Sequence, residues 1–237
     1  MSFALAFALG TAHMLAGRPP VALSVSPARL IVPVPGSRRI ELRNVGKDWV
    51  VVDVRPRAIG PRTAAKAWLA ISPRTRAVAP ATKAIFTIRV RSPGRAQPGD
   101  HHVLVLLTTR PSRASAIGVR MRLGVRMRLR VPGRIVRRVE LRRLRVERRR
   151  GVKVIRLTVA NRGNVTVELG SRLTLSLIRH GHVVARLRRR GRFELLPGAK
   201  AVVPVRYRGR LRGFVTIVAD VRLDRGMRVQ RRFRIRL

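Results

Sequence analysis

Residues able to do acid or base chemistry are scarce in this chain. Its carboxylates are Glu41, Asp48, Asp53, Asp100, Glu140, Glu147, Glu168, Glu194, Asp220 and Asp224, set against 54 Lys and Arg. Catalysis by proton transfer needs two such groups converging on one reacting atom. With basic residues so far in excess, each acid is expected to pair with arginine instead, in solvated and individually weak ion pairs. The histidine clusters are His101-His102 and His180-Gly181-His182. Two ligands on a turn fall short of the three or four that a zinc site uses, so these read as surface turn residues. Nucleophile elbows, phosphate-cradling loops and dinucleotide fingerprints are missing, and Ser24, Ser26 and Ser72 have no base nearby. Asn164-Val165-Thr166 fits a glycosylation sequon but falls in a turn where both polar residues are ordinary. The expectation is a non-enzymatic protein, with no metal, no cofactor and no small-molecule substrate.

What the sequence does offer is positive charge. The formal net charge is +44, and Arg142-Arg143, Arg148-Arg149-Arg150 and Arg188-Arg189-Arg190 could each neutralise phosphates. Lysine occurs only at Lys47, Lys66, Lys83, Lys153 and Lys200, so a GC-rich codon bias explains the arginines as readily as selection for a polyanion does. Single-strand nucleic-acid binders interleave rings with basic residues, whereas Trp49, Trp68, Phe86, Tyr207 and Phe214 read as core positions here. Anionic envelope polymers or lipid head groups are therefore preferred to nucleic acid as partners.

These side chains must be held by strands. From Leu23 onward apolar and polar residues alternate in short runs broken by Pro, Gly and Asn, the period-two signature of half-buried β-structure. The pattern predicts strands over 21–25, 31–34, 38–44, 49–55, 68–72, 84–91, 102–109 and 117–131. A second series follows over 139–146, 152–161, 173–178, 183–187, 201–207, 214–223 and 229–235, and no helix is expected. The fold class is all-β: two tandem immunoglobulin-like sandwiches, 23–131 and 132–237, divided at Val131-Pro132-Gly133, where Pro cannot donate to a ladder. Aromatics are only 4% of the chain, so the cores must be built from Val, Leu, Ile and Ala, and without Cys no disulfide can staple them. Residues 1–22 read as a signal peptide or single anchor, since Met1 to Gly17 is uncharged and apolar, although Arg18 is the first basic residue. Export, with a secreted or envelope-associated product, is the favoured reading.

One repeat stands out. Gly118-Val119-Arg120-Met121-Arg122-Leu123 recurs at once as Gly124-Val125-Arg126-Met127-Arg128-Leu129. Six is even, so the duplication keeps every apolar side chain on its original face. A strand over 117–131 would span about 50 Å, which predicts a bend or hairpin near Gly124 or a protruding edge open to a partner strand.

The order of residues in the first half resembles the amino-terminal domain of periplasmic pilus chaperones and their major-sperm-protein-type relatives. The likeness rests on Leu23-Ser24-Val25-Ser26-Pro27-Ala28-Arg29-Leu30 with Ile40-Glu41-Leu42-Arg43-Asn44, on Trp68-Leu69-Ala70-Ile71-Ser72-Pro73 leading to Ala84-Ile85-Phe86-Thr87-Ile88-Arg89-Val90, and on Pro98-Gly99-Asp100-His101-His102-Val103. Leu157-Thr158-Val159-Ala160-Asn161-Arg162-Gly163-Asn164-Val165 resembles the strand-and-turn phrase of adhesion-type immunoglobulin-like repeats, as in secreted actinobacterial surface proteins. Pilus chaperones hold a subunit's terminal carboxylate with a basic pair in a cleft and add a subunit strand to their own. The resemblance implies Arg29 as the first of that pair, with Arg120, Arg122, Arg126 and Arg128 equally eligible as the second. Three functions follow in order: an exported envelope binding or structural protein with basic faces, a chaperone-like assembly factor using strand addition, and a nucleic-acid-binding protein.

Overall fold

Alternation of side chains becomes two β-sandwiches in the computed structural model, which describes residues 21–237 apart from 63, 92, 112–118, 150, 171, 190, 224 and 225. The apolar amino-terminal segment and the start of the duplicated run at Ile117-Gly118 lie outside the described residues. The strands are β1 (Leu23–Ser26), β2 (Arg29–Pro33), β3 (Gly36–Asn44), β4 (Val50–Ala58), β5 (Leu69–Ser72), β6 (Thr75–Val78), β7 (Lys83–Val90), β8 (Gly99–Thr109) and β9 (Arg122–Val131) in the first half. The second half holds β10 (Val139–Arg149), β11 (Val152–Asn161), β12 (Val167–Glu168), β13 (Leu173–Arg179), β14 (His182–Arg188), β15 (Glu194–Leu195), β16 (Lys200–Tyr207), β17 (Phe214–Arg222) and β18 (Arg228–Arg236). A short 3-10 turn, Ala64–Trp68, is the one helical element among the described residues.

The first sandwich packs the sheet β1-β3-β7-β5 against β2-β9-β8-β4-β6, and the second packs β10-β11-β16 against β14-β13-β17-β18, with β12 and β15 pairing at its side. Period-two burial explains the facing. In β9 the odd residues Val125, Met127 and Leu129 are fully buried while the even arginines point out. Phe86, Ile40, Leu42 and Ile88 fill one core, and Ile155, Leu157, Leu173 and Leu175 the other.

Parity also corrects two core assignments. Trp49 is 68% exposed and Phe214 63% exposed, because the inward residues are the even ones on β4 (Val50, Val52, Val54) and the odd ones on β17 (Val215, Ile217, Ala219). The expected bend at Gly124 is absent too: β9 pairs through Gly124 with β8 in unbroken register, Gly124 lying opposite Leu106 and Arg122 opposite Thr108. A Cβ at Gly124 would come within 3.0 Å of Leu104 Cδ1, so the glycine makes room for that leucine.

Each sandwich is pinned by the same device, an asparagine at the head of an Asn-x-Gly phrase. Asn44 is fully buried; its amide donates to Asp48 O and Val78 O, and its oxygen accepts from Gly46 N. Asn161 repeats this, donating to Val165 O and Leu195 O and accepting from Gly163 N. In both, the bonds reach four and 34 residues along the chain. Buried carbonyls such as Val78 O, Val165 O and Leu195 O must find a donor, and each asparagine amide serves two acceptors at once.

Candidate functional site

Two strands bring the predicted arginines together. β2 runs parallel to β9 with Arg29 opposite Arg126 and Ile31 opposite Arg128, and neighbouring strands lie about 4.8 Å apart. On the other side β8 runs antiparallel to β9, setting Asp100 opposite Arg130, His102 opposite Arg128 and Leu104 opposite Arg126. All these residues share the outward face of one sheet, and that face meets the second sandwich. The result is a cleft of about 240 Å³ lined by Arg29, Leu30, Ile31, His102, Arg126, Met127, Arg128 and Glu194. Arg120 and Arg122 lie elsewhere, in a hollow with Asp53, Arg55, Arg57 and Arg110. Of the four eligible positions on the duplicated run, Arg126 and Arg128 therefore join Arg29 and the other two do not.

Beneath the cleft lies a tight junction between the sandwiches. Asp100 is fully buried, contrary to the expectation of solvated acids. Its carboxylate accepts from Arg130 Nε and from Thr166 N at 2.7 Å, while its own amide donates to Asn164 O at 2.7 Å. Burial opposes ionisation, but the Arg130 and Thr166 hydrogen bonds outweigh it and hold the carboxyl below its ordinary value. Gly99 permits the approach: its φ is +111°, and a Cβ there would stand 2.1 Å from Asn164 O.

His101 and His102 are likewise not surface turn residues. They are 6% and 5% exposed, on β8. The His101 ring packs 4.6 Å from Trp68, with Nε2 2.8 Å from Gln97 O. His102 Nε2 lies 2.6 Å from Thr166 Oγ1. Burial pushes the His102 pKa down to about 4, with Arg128 and Arg126 adding to the effect and Asp100 and Glu194 opposing it. It is therefore a neutral hydrogen-bonding partner at neutral pH rather than a charge or a base. His180 and His182 do sit exposed at the β13–β14 turn. Asn164 of the sequon is used structurally, its amide bridging Arg134 O and Val136 N.

The duplicated hexad divides its work along β9. β2 covers the edge only from Arg126, whose amide donates to Ala28 O, so Arg122 to Val125 pair with β8 alone among the described residues. The second copy buries Val125, Met127 and Leu129 completely, whereas in the first copy Leu123 and Met121 are half-buried and Val119 is 46% exposed. One row of apolar side chains thus loses cover step by step from the second copy to the first, although Leu123 still packs against the core and Met121 O still accepts from Thr109 N.

No protein-family model matches the chain, and no curated protein is similar to it in sequence. Solved structures do match. The class 5 fimbriae chaperone CfaA superposes with a TM-score of 0.53 at 9% identity, covering 91% of this chain and 98% of that one. The Salmonella enterica SafB chaperone, solved in complex with the SafA pilin, gives a TM-score of 0.51 at 13% identity, with 91% and 96% covered. This chain has the two-domain fold of pilus chaperones. The likeness to that fold runs through both sandwiches. It extends to the Acinetobacter baumannii CsuC-CsuE chaperone-tip adhesion subunit pre-assembly complex, at a TM-score of 0.50 and 12% identity, covering 90% and 98%. Glu194, which completes the arginine cleft, went unplaced by sequence reasoning because it sits on a two-residue strand too short to show a period.

Proposed function

We propose that this chain is an exported assembly chaperone that holds a partner protein by strand addition to β9 and by its terminal carboxylate in the arginine cleft. The observation carrying this reading is the coincidence of three features along β9: an edge that, among the described residues, has no strand on its β2 side over Arg122 to Val125, an apolar row less and less covered through Leu123, Met121 and Val119, and Arg126 beside Arg29 where β2 begins to cover that edge. Main-chain hydrogen bonds would supply affinity, the apolar row would enter a groove in the partner, and the arginines would fix register by binding the chain end. The solved complexes SafA–SafB and CsuC–CsuE, in which this fold holds a pilin or a tip adhesion subunit, support a protein partner for this chain. Nothing in this mode of action requires covalent chemistry. The reading displaces the first-ranked expectation of basic faces on anionic polymers, because the cleft arginines are organised by strand register rather than spread as a charged surface.

The test is calorimetric titration with a synthetic peptide of alternating Val and Thr, with either a free or an amidated carboxy terminus. The wild-type chain should prefer the free acid. Replacing both Arg29→Ala and Arg126→Ala should remove that preference at a cost of about 30-fold, roughly 2 kcal/mol for the lost charge-assisted bonds. Arg120→Ala should leave it intact. Equal binding of the acid and the amide by the wild-type protein would contradict the carboxylate assignment.

A further inference from the structure

The cleft already contains a carboxylate. Glu194, on β15 of the second sandwich, lies 3.7 Å from Arg29 Nη1, 3.7 Å from Arg126 Nη2 and 3.6 Å from Arg128 Nη2. Each separation exceeds hydrogen-bond length, so attraction holds the group without fixing its orientation. Its side chain is 22% exposed and can be reached from solvent. Asp100, on the same face, is the opposite case: fully buried and hydrogen-bonded by Arg130 and Thr166 N. One acid is locked into the junction; the other is a loosely held counter-ion.

We propose that Glu194 is an internal occupant of the arginine site, standing where an incoming carboxylate binds, so that a ligand enters by displacing it and thereby cuts a tie between the sandwiches. The inference rests on the carboxylate-binding reading above. Two carboxylates cannot share these arginines without mutual repulsion, so occupancy by one weakens the other. The backbone permits exchange without unfolding: Leu195 is 2% exposed and its carbonyl is held by Asn161, anchoring β15 while the neighbouring glutamate side chain swings out. Weak ligands are excluded, and only an acid that gains further bonds along β9 repays the lost contacts. Glu194 is thus a specificity-determining residue that couples ligand entry to the angle between domains.

Glu194→Gln keeps the side-chain size and the β12–β15 pairing and removes the charge. In titrations of the full chain with the Val-Thr peptide, the variant should bind the free acid about tenfold more tightly than wild type and the amide no differently. Equal affinity of the two proteins for the free acid, or equal tightening for acid and amide, overturns the proposal. If neither protein binds the peptide, the assembly reading fails, and acetate tests the internal occupant by itself. Shifts of the Arg29, Arg126 and Arg128 Nε–Hε resonances at lower acetate in the variant than in wild type support it; identical titrations overturn it.

Discussion

Replacing Asn161 by Ala is expected to destabilise the second sandwich by about 3 kcal/mol, and Asn44→Ala the first by a similar amount. The cost arises from what is left behind rather than from volume. Without the Asn161 side chain, Val165 O and Leu195 O lose the amide that donates to both, inside a buried site, while Gly163 N keeps only its bond to Arg138 O. Each abandoned buried group costs about 1–3 kcal/mol, partly recovered by relaxation. The two variants are distinguishable because Trp49 and Trp68 both belong to the first half of the chain. Asn44→Ala should lower the urea midpoint of tryptophan fluorescence, whereas Asn161→Ala should lower the midpoint of circular-dichroism loss more than that of tryptophan fluorescence. Shifts below about 0.5 kcal/mol in both would mean that the Asn-x-Gly phrase is an ordinary surface turn.

Stability should also fall steeply between pH 7 and pH 4. His102 has a folded pKa of about 4 against an ordinary 6.5. Between those values the unfolded chain binds a proton that the folded chain refuses, so acidification favours unfolding. The loss is on the order of 3 kcal/mol by pH 4 and does not grow below it. His101, held down mainly by burial, acts in the same direction. Asp100 follows at lower pH: its folded pKa is depressed, so its contribution is complete above the ordinary carboxylate range and disappears as pH falls through the native value. Urea midpoints measured from pH 7 to pH 4 should show the slope, and His102→Gln should flatten it. An unchanged slope in that variant would mean that His102 is solvated.

Much of this architecture was readable as alternation. The strand expected over 152–161 is β11, Val152–Asn161, and the parity that buries Val125, Met127 and Leu129 was visible in the repeat itself. The same parity would have placed Trp49 and Phe214 outside, had it been applied in preference to aromatic type. Three strands escaped notice, β6, β12 and β15, the last two of only two residues each. The cleft was half legible. Arg29 and the arginines of β9 stood out by resemblance, but choosing Arg126 needed the parallel register with β2. Asp100, His102 and Glu194 could not be assigned, because their burial and charge environment arise where the two sandwiches touch. His102 meets Thr166 64 residues away, a distance over which local pattern carries no information.

The register of β9 also says which amides a partner strand must use. Arg126 N points toward β2 at Ala28 O, so by alternation the amides of Arg122 and Gly124 point to the same, open side, while those of Leu123 and Val125 face β8. Amide hydrogen exchange, resolved by residue in the free chain and with the free-acid Val-Thr peptide bound, measures this directly. Protection gained at Arg122 and Gly124, and lost when Arg29 and Arg126 are both alanine, is the predicted result. Saturating peptide that leaves those two amides exchanging as before would contradict strand addition at this edge.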